Sequence, residues 1–283
     1  MSRGISLYVN LDGCEVVMEQ LKKALDEANK IRSDAAHYAG KSFSADTSFS
    51  LGSREAAQVC YSQTRVTPLN NAHLEEHRII CGRESIAVQQ SYKLLRTQVL
   101  QKLSVNDWNS IAVVSPTSGN GKTTTAINLA ISLAKEVKQT VLLVDFDFQS
   151  PSIARYLGIK LKHDIGDYLF RDADLSSVLV NPDIERLVVL GGHTQLNHSS
   201  ELLSSPKLLK LVDELKSRYA DRIVIFDLPP MLEFDDAIAF IPNVDAVLMV
   251  VEEGATTADD LERCSQQLDA KPLLGTLLNK GKA

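Results

Sequence analysis

Residues 115–130 of the 283-residue chain, SPTSGNGKTTTAINLA, have the residue types and spacing of a phosphate-binding loop. Gly119 and Gly121 let the backbone curl so that its amide groups face a phosphate. The helix predicted to follow adds the partial positive charge of its N-terminus. Lys122 is expected to reach the β- and γ-phosphates of a nucleotide, and the hydroxyl of Thr123 to bind Mg²⁺.

Two further segments carry carboxylates at the ends of predicted strands. Asp145 and Asp147 end the apolar run TVLLV, and Asp227 ends the run RIVIF before two prolines turn the chain away. Alternate residues of an extended segment point the same way, so Asp145 and Asp147 can face one cation. Because ligands of parallel sheets lie at the carboxyl ends of the strands, these residues predict a Mg²⁺-nucleotide site. The alternative is that each aspartate only forms a turn.

The elements that must hold these loops alternate between aliphatic strands and amphipathic helices. Strands are predicted over residues 110–115, 140–145, 186–190, 222–227, 246–251 and 273–278, and helices over residues 122–138, 206–219 and 256–268. An earlier helix is indicated by Val88, Tyr92, Leu95 and Val99, which share one face. This alternation predicts an α/β fold with a doubly wound, mainly parallel sheet of the P-loop NTPase type.

The segment that precedes this alternation has a different character. Apolar residues at helical spacing between Val17 and Ile31 predict an amphipathic helix, so residues 1–39 are expected to form an N-terminal helical arm. The stretch GKSFSADTSFSLGS has no period and is rich in serine, and residues 40–77 are therefore expected to be a flexible linker. The nucleotide-binding domain is expected over residues 78–283.

Composition limits the classes of function. With 44% hydrophobic and 23% charged residues the chain has an ordinary globular composition, and its longest apolar runs are far shorter than the ~18 residues of a membrane span. A net charge of −6 disfavours a nucleic-acid-binding protein. The cysteines show no CxxC spacing, which fits a reducing cytoplasm; they are Cys14, Cys60, Cys81 and Cys264.

One motif competes with the nucleotide site. The segment HLEEH, from His73 to His77, matches the H-x-x-E-H pattern of a class of zinc peptidases. Two histidines four residues apart on a helix can bind Zn²⁺. No buried helix is predicted around the segment, so the match is interpreted as accidental.

The ordered motifs resemble the bacterial protein-tyrosine kinases of polysaccharide synthesis and export, which are related to the chromosome-partitioning and division-site ATPases. The resemblance extends from about Arg78 to Asn279 and rests on six blocks, residues 115–124, 126–134, 141–159, 199–219, 223–230 and 273–279. Loops of this kinase family often lack the glycine that Pro116 replaces. Thr117 stands where the partitioning ATPases have a signature lysine, which argues against a switch of their type.

The resemblance implies ATP and Mg²⁺ as cofactors and transfer of the γ-phosphate to protein tyrosine. The residues that it implies for the nucleotide are Ser118, Gly119, Asn120, Gly121, Lys122, Thr123 and Thr124, with Asn279 at the adenine. Thr123 and Asp147 would bind the metal, and Asp227 would hold it through water. Asp145 would be the base that activates the tyrosine hydroxyl, although the roles of Asp145 and Asp147 can be exchanged.

The chain departs from the family pattern in three places. Gln149 replaces an arginine that usually follows Asp147 by two residues. The ring-forming helix of the family, Glu-x-x-Arg-x-x-Arg, has Gln90, Lys93 and Arg96 here, so homo-oligomerisation stays open. The tyrosine cluster that typically ends such kinases is not found after Tyr219.

These features leave two functional hypotheses. The first is a cytoplasmic tyrosine kinase, peripheral to the membrane through a polysaccharide copolymerase partner, with Tyr8, Tyr38 and Tyr61 as the expected acceptors because they flank segments predicted to be mobile. The second is a regulatory ATPase that binds the same copolymerase in a nucleotide-dependent way without phosphorylating tyrosine.

Overall fold

A computed structural model describes the backbone of residues 3–8 and, with side chains, most of residues 64–282 apart from residues 137, 197–198, 220 and 269–270. The helix predicted between Val17 and Ile31 and the serine-rich stretch 40–53 lie outside the described residues. Within them, no helix combines the length and the apolar character that crossing a bilayer needs.

The described part of the chain contains nine strands. They are β1 (Arg3–Tyr8), β2 (Arg65–Val66), β3 (Ser110–Val114), β4 (Thr140–Asp145), β5 (Leu179–Asn181), β6 (Leu187–Leu190), β7 (Arg222–Asp227), β8 (Ala246–Glu252) and β9 (Leu273–Lys282). They form one sheet in the order β1-β9-β8-β3-β7-β4-β6-β5-β2. The pairs β1–β9 and β5–β6 are antiparallel and the others are parallel, so the predicted mainly parallel α/β fold is confirmed.

Helices flank this sheet. They are α1 (Asn71–Glu76), α2 (Ile86–Asn106), α3 (Lys122–Ala134), α4 (Ile153–Leu157), α5 (Ile165–Arg171), α6 (Leu175–Val178), α7 (Ser199–Leu203), α8 (Pro206–Ser217), α9 (Asp236–Phe240) and α10 (Ala258–Leu268), with a 3₁₀ turn at Ile241–Asn243. The predicted face of α2 packs inward, since Tyr92, Leu95 and Val99 are buried.

The central strands β3, β4 and β7 position the candidate site. Every residue of β3 is buried, as expected of an aliphatic strand between two parallel neighbours. In the pairing of β4 with β7, Asp145 lies opposite Asp227, so the two carboxylates leave the sheet at the same level. A fully buried aromatic cluster, Phe146, Phe226 and Phe240, supports this end of the sheet with ring centroids 4.9–5.3 Å apart.

Two segments differ from the sequence prediction. Residues 3–8, assigned to the helical arm, form an edge strand on β9. Residues 64–77, assigned to the flexible linker, are ordered on the domain: β2 pairs with β5, and α1 buries Leu74. A two-residue strand and a six-residue helix are too short to show a hydrophobic period, which is why the pattern could not reveal them.

Candidate nucleotide site

The phosphate loop connects β3 to α3 as the motif requires. Gly119 and Gly121 both have positive φ, +81° and +90°, a conformation that side chains rarely adopt. Gly121 also lies at the N-cap of α3, where it has no side chain to cover the first amides of the helix. Those amides and the helix N-terminus therefore face the loop, and this arrangement suits an anion.

Lys122 lies at the centre of the site and is buried. Its Nζ donates to Oδ2 of Asp147 at 2.6 Å and lies 3.6 Å from Oδ1 of Asp227. Burial by itself lowers the pKa of Lys122, but the charges of Asp227, Asp147 and Asp145 outweigh burial and raise it. The lysine is therefore firmly charged, and its charge partly neutralises the neighbouring carboxylates.

Thr123 and Asp227 form a second contact beneath the loop. The hydroxyl of Thr123 donates to Oδ2 of Asp227 at 2.6 Å, while Oδ1 of Asp227 is buried and receives no hydrogen bond. Burial raises the pKa of Asp227 to about 6, with the charge of Lys122 opposing and that of Asp147 adding to the rise. A buried carboxylate oxygen without a donor beside a threonine hydroxyl is a donor set that fits Mg²⁺.

Asp145 has a different environment from Asp147. Its Oδ2 accepts from the amides of Ser152 and Ile153, both at 2.9 Å, at the start of α4, and its Oδ1 receives no hydrogen bond. Burial and then the charge of Asp227 raise the pKa of Asp145 well above its ordinary value. Asp147, in contrast, lines the cavity in front of the loop.

Asn279 ends the sequence block that the family resemblance extends to, and it lies against the phosphate loop. Its Nδ2 donates to the carbonyl of Asn120 at 2.8 Å, and its Oδ1 accepts from the amide of Lys280. A Cβ on Gly121 would displace the side-chain amide of Asn279. The positive φ of residue 121 is the stronger reason for glycine at this position.

The phosphate loop also contacts residues 231–233, a contact that was not predicted from the sequence. The amides of Met231 and Leu232 donate to the carbonyls of Ser115 and Pro116 at 2.9 and 3.0 Å. The carboxylate of Glu233 accepts from the amide of Ser118 at 2.5 Å, in the place of an anion. The signal that could have indicated this contact is the pair of prolines after Asp227, which directs the chain across the loop.

A cavity of about 1240 Å³ opens in front of the loop, large enough for a nucleotide and more. Lys122, Thr123 and Asp147 line it. It is also lined by residues after α1 and on α4 that were not predicted from the sequence, among them His77, Arg78, Arg155 and Tyr156.

Two positions of the family pattern, the departing Gln149 and the matching Arg96, have partners within the domain. Gln149 donates to the hydroxyl of Ser199 at 2.7 Å. Arg96 pairs with Glu136 at 2.9 Å and also donates to the carbonyl of Ser132. The side chain of Arg96 thus fastens α2 to α3.

Comparisons with known proteins agree with this architecture. The model of the AAA domain family matches residues 108–270, which include the phosphate loop and all three aspartates. Over 198 residues the chain is 32% identical to the tyrosine-protein kinase CpsD of Streptococcus pneumoniae serotype 4, covering 68% of this chain and 84% of that kinase.

A longer relative and a solved structure extend these comparisons. The succinoglycan biosynthesis transport protein ExoP of Rhizobium meliloti is 28% identical over 209 residues, which are 72% of this chain and 26% of that protein. The crystal structure of the VpsO kinase domain superposes with a TM-score of 0.60 at 26% identity, covering 69% of this chain and 98% of that domain.

Proposed function

The chain belongs to the family of bacterial tyrosine-protein kinases, and from that membership we propose that it transfers the γ-phosphoryl group of ATP to the hydroxyl of a protein tyrosine. The observation that carries the proposal is the group of Lys122, Thr123, Asp147 and Asp227 beneath a loop with exposed amides. Phosphoryl transfer needs mainly positioning and charge neutralisation, and this group supplies both.

Each residue of the group has a proposed task. The amides of residues 118–124 bind the phosphates, and Lys122 exchanges its ion pair with Asp147 for the β- and γ-phosphates. Thr123 and Asp147 would bind Mg²⁺ directly and Asp227 through water, and the ion would neutralise negative charge on the phosphate oxygens. Because Lys122 pairs with Asp147 in this structure, binding of Lys122 to the phosphates would leave Asp147 available for the metal.

Asp145 is the proposed base. The tyrosine O–H bond breaks, its oxygen bonds to the γ-phosphorus, the bond from that phosphorus to the β-phosphate oxygen breaks, and ADP leaves. The raised pKa of Asp145 and its unbonded Oδ1 favour it as the proton acceptor. Asp145 is completely buried, which limits the approach of a tyrosine to it. Asp147, which lines the cavity, is therefore the second candidate for the base.

The proposed setting is the cytoplasmic face of the membrane, in exopolysaccharide biosynthesis, with a membrane polysaccharide copolymerase as partner. The similarity to part of a succinoglycan transport protein supports this setting. Among the expected acceptors, Tyr8 belongs to β1, where its residue pairs with Thr276, and a paired strand is a poor substrate segment. Tyr38 and Tyr61 lie outside the described residues and stay the proposed acceptors.

Incubation of the full chain with Mg²⁺-ATP, with and without the cytoplasmic fragment of a copolymerase, tests the proposal. We expect phosphotyrosine by mass spectrometry, on Tyr38 or Tyr61 or on the partner. Phosphate on Tyr219 would contradict the proposed acceptors, whereas ATP hydrolysis with no phosphotyrosine in either mixture would favour the regulatory ATPase instead.

A further inference from the structure

The segment His73–His77 has a local structure that its sequence did not predict. It is held on α1, whose N-cap Asn70 accepts from the amide of Ala72 at 3.0 Å and whose Leu74 is buried in the core. The two histidines are one helical turn apart, and their ring centroids are 4.2 Å apart. The motif therefore lies on a surface helix that Leu74 anchors to the core.

Hydrogen bonds determine which nitrogen of each histidine ring carries a proton. Nε2 of His73 lies 2.8 Å from the carbonyl oxygen of Arg155, and Nδ1 of His77 lies 2.9 Å from the carbonyl oxygen of His73. Because a carbonyl oxygen only accepts, each of these nitrogens must carry its proton. The other nitrogen of each neutral ring then keeps a lone pair, and metal-binding histidines are typically oriented in this way.

A third ligand stands beside them. One ring nitrogen of each histidine and one carboxylate oxygen of Glu76 lie within 4.8 Å of one another. Ligands of a tetrahedral Zn²⁺ at 2.0–2.1 Å are separated by about 3.4 Å, so the three atoms lie within a short adjustment of the spacing that one ion needs. Two imidazoles and one carboxylate are ligands that a divalent ion of intermediate softness prefers.

We propose that His73, Glu76 and His77 bind one divalent transition-metal ion, such as Zn²⁺, with a position left for water. This site is separate from the Mg²⁺-nucleotide site, because its ligands come from α1 and the residue after it rather than from the ends of β4 and β7. Glu76 and His77 line the same cavity as Lys122, so the ion would add positive charge to that cavity.

Calorimetric titration of the metal-free full chain with Zn²⁺ alone tests the site. We expect one Zn²⁺ per chain, retained in Asp227→Asn and in His193→Ala, whose histidine pairs with Asp164 elsewhere on the surface. His77→Ala and the conservative Glu76→Gln should each weaken Zn²⁺ binding at least about tenfold. Unchanged melting temperatures of the metal-free variants would show that they fold.

Three outcomes would overturn the proposal. The first is a parent chain that takes up no stoichiometric Zn²⁺. The second is a folded His73→Ala, His77→Ala double variant that binds Zn²⁺ as tightly as the parent. The third is loss of Zn²⁺ binding in Asp227→Asn, since this result would assign the ion to the nucleotide site.

Discussion

Two carboxylates at opposite ends of the sheet, the half-buried Asp245 and the buried Asp227, have opposite electrostatic environments. Asp245, just before β8, accepts from the amides of Asn109 and Ser110 and from the Ser110 hydroxyl, and it pairs with Lys216 at 3.1 Å. Burial alone raises the pKa of Asp245, but these hydrogen bonds and the charge of Lys216 lower it below the ordinary value. The fold itself satisfies this charge.

Asp227, at the carboxyl end of β7, is satisfied only in part. One of its oxygens has no hydrogen bond, and its pKa is raised to about 6. The two aspartates, each at one end of a buried strand, therefore have different roles in the fold. One fastens strands together, whereas the other is held in a costly charged state that a cation can relieve.

Removing the charge of Lys122 should have the largest effect on ATP binding at the candidate nucleotide site. Lys122→Met loses hydrogen bonds from a charged donor to the phosphates, each of which contributes about 1.5–3 kcal/mol, so ATP binding should weaken about 100-fold. Lys135→Met, at the exposed end of the same helix, is the matched control. Calorimetry that finds equal ATP affinities for Lys122→Met and the parent would show that the site is misassigned.

The variants Asp227→Asn and Asp245→Asn test whether the two aspartates differ in their roles. Asp227→Asn should weaken Mg²⁺-dependent ATP binding by a factor of about 10–100, because it removes a charged metal ligand. Asp245→Asn should leave binding unchanged and lower the free energy of unfolding by about 1–3 kcal/mol, since it disturbs satisfied hydrogen bonds. Urea denaturation would measure the free energy of unfolding of both variants, and calorimetry would measure their ATP affinity. Equal changes in both quantities for the two variants would show that Asp227 and Asp245 do not differ in role.

Protonation offers a milder form of the same test. Mg²⁺ requires charged Asp227, so binding of Mg²⁺-ATP should weaken about tenfold from pH 7 to pH 5, as Asp227 takes up a proton with a pKa of about 6. The free energy of unfolding without ligand depends on Asp227 in the opposite direction. Because folding raises the pKa of Asp227, this aspartate stabilises the folded state at low pH, and the stabilisation is lost as pH rises from 3.8 to about 6.

Asp245 should show the reverse dependence in stability. Its pKa is lowered on folding, so its contribution is present above the ordinary value of 3.8 and is lost as pH falls through the lowered value. Urea titrations of parent, Asp227→Asn and Asp245→Asn between pH 3 and pH 7 measure these slopes. Slopes of the same sign for the two aspartates would contradict the opposed environments.

The candidate nucleotide site was predicted from the sequence better than the segments around it. β4 and β7 have the bounds that their aliphatic runs indicated, and Lys122, Thr123 and Asp227 meet because parallel strands bring their carboxyl ends together. The edge strand β1 was not predicted, since its pairing depends on β9, more than 260 positions away in the chain. The Glu233 contact depends on the path of a loop, which hydrophobic periodicity does not encode.

Substitution of Glu233 gives the smallest predicted change in ATP affinity, and it tests a single contact of the phosphate loop. Its exposed carboxylate accepts from the amide of Ser118, so a phosphate that approaches the loop must displace a negative charge. Glu233→Gln keeps an acceptor and removes the charge, and ATP affinity should rise about two- to fivefold, as expected of an exposed charge worth less than about 1 kcal/mol.

Glu214→Gln, on the surface of α8, is the matched control. Because salt screens exposed charges, the gain should shrink from 0.05 to 0.5 M NaCl. Calorimetry that finds weaker binding for Glu233→Gln would instead make Glu233 a support of the loop rather than a competitor of the phosphate.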